Sequence, residues 1–124
     1  MNKQHALWLW RNLCTNSKDD SLSNFGYVAL AHNSSAFFGH ADEETAACRF
    51  LRKWAQRIEE ADATAFQLWT TLCEDEAGLL PLGAVALSHR LSTLLHDSCD
   101  DYRSCSISVA EWLRTFADSL EGKE

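Results

Sequence analysis

Cysteine and histidine recur in this chain at matched spacing, and together they could hold a metal or carry thiol chemistry. Cys14, His32 and Cys48 in the first half are answered by Cys73, His89 and Cys105 in the second, each histidine sixteen residues before a cysteine. Thiolate and imidazole are good zinc ligands, and four of them would close a tetrahedral site. A thiol with a depressed pKa would make the same set a redox sensor. Packing is the stronger explanation. Cys14 and Cys73 each close an apolar helical face, where a thiol behaves as a small buried hydrophobe. There is no Cys-x-x-Cys pair, which removes the usual zinc-ribbon and thioredoxin signatures. A second cluster, His96, Cys99 and Cys105 beside Asp97, Asp100 and Asp101, fits no standard finger spacing either. The expectation is no cofactor and no metal, with the six paired residues as the metal candidates of lower rank.

Catalytic signatures are absent. The chain has no Gly-rich phosphate loop, no Gly-x-Ser-x-Gly elbow and no Glu-x-x-His pair of a di-iron bundle. An enzyme is therefore not expected.

The paired cysteines belong to a longer repetition. Leu9-Trp10-x-x-Leu13-Cys14 returns as Leu68-Trp69-x-x-Leu72-Cys73, and Gly26-x-Val28-Ala29-Leu30-x-His32-x-x-Ser35 as Gly83-x-Val85-Ala86-Leu87-x-His89-x-x-Ser92. Trp54 finds its counterpart in Trp112. Because tryptophan and cysteine are rare, their pairing in one order points to a unit of about 58 residues written twice, a period to be sought before any fold is assigned.

Two departures from this repetition are the better leads to function, because packing a shared core cannot explain them. Trp8 falls on the helix face opposite Leu9, Trp10 and Leu13, beside His5 and Arg11, while its counterpart is Gln67. An outward tryptophan suits a contact anchor. The second departure is the basic stripe Arg49, Arg52, Lys53 and Arg57, where the equivalent helix has only Arg114. Like charges at i,i+4 cost about 0.2–0.5 kcal/mol per pair, so the stripe would gain from carboxylates or phosphates facing it.

The elements that must position these residues are helices. Hydrophobic residues make up 46% and charged residues 23%, with one proline and five glycines, so the 124 residues should form one domain with a real core and few breaks. Apolar spacing predicts helices over about 3–14, 22–38 and 42–60, then from Asp62 to about Cys73, from Pro81 to about Leu95, and a last one behind a Ser108-x-x-Glu111 capping box. Gly39 is expected to stop the second helix, Asp62 to cap the fourth and Pro81 to open the fifth. Gly26 and Gly83, inside helices, suggest close helix approach.

The fold expected is all-α: a compact six-helix domain of two similar three-helix repeats, about 3–60 and 62–121, related by a pseudo-two-fold axis. Five cysteines with no secretion-signal pattern point to a reducing, cytoplasmic setting, and the HALWLW run is too short to span a membrane. The net charge of −7 is uneven: residues 1–61 hold seven basic and seven acidic side chains, residues 62–124 four and eleven. That balance makes nucleic acid an improbable partner, since phosphate contacts need Lys and Arg. The function expected is non-enzymatic docking on another protein through Trp8, Arg11, Arg49, Arg52, Lys53 and Arg57, a homodimer being compatible. The alternatives are metal binding or redox sensing by the paired Cys and His, and nucleic-acid association through the basic stripe.

Overall fold

A computed structural model describes residues 2–15, 23–31, 41–91, 93 and 102–122. The described residues are predominantly helical, with six helices and one two-stranded hairpin: α1 (Lys3–Cys14), α2 (Asn24–Ala31), α3 (Ala41–Glu59), α4 (Ala63–Cys73), β1 (Glu74–Asp75), β2 (Gly78–Leu79), α5 (Pro81–Ser88) and α6 (Tyr102–Glu121). None of these helices is long and apolar enough to cross a membrane.

Local chemistry sets the helix ends. The Asn2 side chain accepts from the His5 amide at 2.8 Å, and Asp62 accepts from Thr64 and Ala65, so each caps a helix N-terminus. Pro81 occupies the first turn of α5, where its missing N–H costs nothing. At the other ends, α3 and α5 close with the paired bonds of a Schellman motif. The Asp62 amide reaches the Arg57 carbonyl and the Ala61 amide that of Ile58; the Leu91 amide reaches Ala86 and the Arg90 amide Leu87. Ala61 and Arg90 take the left-handed position of these motifs, both at φ 59.

The chain divides into two compact units, the first made of Met1–Lys53 with Arg114–Glu124 and the second of Trp54–Leu113. These boundaries fall inside α3 and α6, not at the junction near residue 61. Each of these two long helices, of 19 and 20 residues, contributes residues to both units. In the first unit Trp10 is fully buried and meets Phe25, Phe50 and Phe116 edge to face, at centroid distances of 5.3, 6.2 and 6.2 Å. Each such contact adds about 0.5–1.5 kcal/mol beyond the area it buries. In the second unit Trp69 is fully buried between Trp54 at 5.6 Å and Trp112 at 6.0 Å. The Trp54 indole N–H donates to the Ala65 carbonyl.

Three details differ from the expectation. The break after Cys73 is a hairpin, with Glu74 opposite Leu79 and Asp75 opposite Gly78; Gly78 turns it at φ 130. Helix α5 stops at Ser88 and not near Leu95, because the left-handed Arg90 folds the chain back and buries Leu91 as the hydrophobic end of the motif. Helix α6 begins at Tyr102, so Ser108 and Glu111 are exposed interior positions and form no capping box. The expected end of the second helix, at Gly39, lies outside the described residues.

Candidate functional site

Helix α1 presents opposite chemistries on its two sides. Ala6, Leu9, Trp10, Leu13 and Cys14 are buried. Trp8 is 60% exposed, with the His5 ring 5.7 Å away and its own carbonyl accepting from the Asn12 side chain at 2.7 Å. Arg11 is exposed one turn on, and no residue of the helix is acidic. The outward face is thus aromatic and cationic.

The basic stripe of α3 is sorted by the fold. Arg52 is half-buried within the first unit, donating to Asp118 at 2.6 Å and lying 3.3 Å from Glu121. These carboxylates, the Asp118 hydrogen bond first among them, hold its pKa above the ordinary guanidinium value. Arg52 is therefore already paired within the chain. Arg49, Lys53 and Arg57 are exposed and make no ion pair among the described residues. Arg57 belongs to the second unit, and the other two stand with Trp8 and Arg11 in the first.

Tyr27 on α2 is a feature of the first unit that sequence reasoning missed: it is 62% exposed. The comparison of sequence halves that singled out Trp8 would have found it, since 57 residues on from Tyr27 stands Ala84, an exposed small residue. In both cases the first unit turns an aromatic outward where the second has none. Charge divides the same way. The first unit holds eight basic and eight acidic side chains, whereas the second holds three and ten and so carries the whole −7.

The cysteines sit in the opposite environment. Cys14, Cys48 and Cys73 are buried free thiols. Burial pushes the Cys14 thiol up to about 12, and burial with the nearby Glu74 charge does the same to Cys73. A redox-sensing thiol needs a shift the other way. The Cys48 thiol donates to the Ala117 carbonyl at 3.3 Å. His89 is exposed at the C-cap of α5, its ring 5.7 Å from that of Trp112. Among the described residues no three of His, Cys, Asp and Glu converge as metal ligands would. His32, His96 and Cys99 lie outside the described residues, as does the side chain of Cys105, the fourth residue of α6.

The ends of α1 and α4 are built alike. After Cys14 the chain turns extended at Thr15, and the Cys14 carbonyl accepts from the Ser23 amide at 2.9 Å. After Cys73 it turns extended at Glu74, and the Cys73 carbonyl accepts from the Leu80 amide at 2.9 Å. Gly83 then crosses so close to α4 that a Cβ there would stand 2.1 Å from the same Cys73 oxygen. The close approach expected of this glycine is real, and its partner is the end of the preceding helix. No protein-family model, curated protein or solved structure matches the chain.

Proposed function

We propose that this chain is a non-enzymatic protein-binding module that docks on an acidic face of another protein, as a small inhibitor, immunity protein, adaptor or phage- or plasmid-encoded antagonist does. The observation that carries the proposal is Trp8, left 60% exposed on the acid-free face of α1. Burying that surface in a complex is worth roughly 3 kcal/mol at about 25 cal/mol per Å², enough to make one residue the anchor of an interface. Arg11, Arg49 and Lys53, exposed in the same unit, supply the charge that favours carboxylates opposite.

The same reading includes an internal duplication. Cys14 and Cys73 have the same burial and accept from the amide that precedes or opens the next helix. The starts of α2 and α5, and the Ser23 and Leu80 amides just before them, are offset by the same 57 residues. A duplicated core relieved of selection at its surface accounts for one unit that bears exposed aromatics and another that bears the net charge.

The test is capture from lysate of the encoding organism with tagged wild-type chain, Trp8→Ala and Lys53→Glu, read by native mass spectrometry. A stoichiometric protein retained by wild type and lost by Trp8→Ala, with the melting temperature within about 2 °C of wild type, supports docking. A partner that Trp8→Ala retains, or a chain carrying stoichiometric metal or nucleic acid instead, overturns it.

A further inference from the structure

We infer that the Glu60–Asp62 connection is the hinge of a domain-swapped dimer, in which a second copy of this chain supplies α4–α6 to the α1–α3 of the first. The topology requires that α6 come from somewhere. Residues 1–53 are completed as a unit only by 114–124: Phe116 packs on Trp10, the Ala117 carbonyl takes the Cys48 thiol, and Asp118 and Glu121 take Arg52. Trp54 and Ile58 of α3 likewise belong to the second unit. Each unit draws on both halves of the sequence, and identical contacts would form if the halves came from two copies.

The hinge favours the exchange. Only three residues join α3 to α4, and the middle one, Ala61, stands at φ 59 in the position that glycine usually fills. At the end of α6 the chain does place glycine there, Gly122 at φ 81. The stretch Glu59-Glu60-Ala61-Asp62-Ala63-Thr64-Ala65 contains neither glycine nor proline, so α3 running straight into α4 would exchange the Asp62 cap and the Schellman bonds for continuous helical ones. Opening would move Ala61 from the left-handed region to the helical one, where alanine is the most favoured residue. A short hinge under strain is the circumstance that promotes swapping.

The experiment is to refold the full chain at about 1 mM and about 10 μM and weigh the species by size-exclusion chromatography with light scattering. Ala61 is exposed, so substitutions there leave both cores intact. Ala61→Gly relaxes the closed turn and should lower the dimerisation constant about 5-fold per hinge, hence about 25-fold for two hinges. Ala61→Val, β-branched and poorly tolerated at positive φ, should raise the dimer fraction. The dimer should not exchange subunits with a differently tagged copy under native conditions, because exchange requires opening. Dimer in wild type that Ala61→Gly abolishes supports the inference, even if Ala61→Val does not fold. Monomer alone for wild type at both concentrations, a dimer indifferent to Ala61→Gly, or one that exchanges within minutes of mixing overturns it.

Discussion

Replacing Gly83 with alanine tests the packing of α5 on α4 directly. At an unconstrained helical site the change would stabilise the protein by up to about 1 kcal/mol, because alanine is the better helix former. Here the added Cβ would stand 2.1 Å from the Cys73 oxygen and 2.9 Å from the Cys73 carbon. Both are backbone atoms, so no side-chain rotation relieves the overlap. Leu79 Cδ2, also at 2.9 Å, can move. The helix must retreat by about an ångström to restore ordinary van der Waals separation. That retreat strains the 2.9 Å bond from the Leu80 amide to the Cys73 carbonyl and unpacks Leu82 and Ala86, both buried. Overpacking of this kind costs about 1–3 kcal/mol and a weakened hydrogen bond about 1 more. After the helix-propensity gain, the expected loss is about 1–3 kcal/mol, a fall in melting temperature of roughly 3–15 °C for a chain of this size. Urea and thermal unfolding read it, with the exposed Ala84→Gly on the same helix as a propensity control costing about 1 kcal/mol. A Gly83→Ala protein as stable as wild type, or more so, would refute the close approach.

Thiol chemistry makes two further predictions. In a Cys99→Ser, Cys105→Ser background, a thiol reagent such as DTNB should find no fast-reacting cysteine in the native state, and Cys14, Cys48 and Cys73 should react only on unfolding. Because the folded thiols of Cys14 and Cys73 are raised from 9.0 to about 12, their contribution to stability is whole below pH 9 and is lost as pH rises toward 12. That loss is at most about 4 kcal/mol per thiol, and a Cys14→Ala chain should show a shallower alkaline decline than wild type. Arg52→Ala and Asp118→Ala should each cost about 0.5–1 kcal/mol, since the pair is partly exposed and solvent screens it; a double-mutant cycle in low and high salt should show coupling that shrinks with salt. For Trp8, the only tryptophan not buried, Trp8→Phe should remove the red-shifted, acrylamide-quenched part of the fluorescence and leave the rest unchanged.

Much of the helical framework was legible in the sequence because it rests on local patterns. The face of α1 that carries Trp10 and Cys14, the cap at Asp62, the opening of α5 at Pro81 and the outward Trp8 all follow from spacing and from the chemistry of one or two neighbouring residues. The errors came where a local pattern had two outcomes. Leu87 to Leu91 reads as continuing helix, yet a left-handed Arg90 buries Leu91 by folding back, and no residue type there announces it. Ser108 and Glu111 have capping-box spacing, but they also fit the exposed face of a helix begun six residues earlier. The role of Arg52 depended on Asp118 and Glu121, some seventy residues distant, which no periodicity can place beside it.

The sequence by itself determined that the chain is predominantly helical, where several helices begin and which side of α1 is apolar. These depend on neighbours within a turn or two along the chain. Only the tertiary structure decided that Gly83 is held against the Cys73 carbonyl and that Arg52 of the basic stripe pairs with Asp118 and Glu121. Those outcomes depend on distances between segments remote in the chain, where closing the fold brings charge to charge and backbone to backbone.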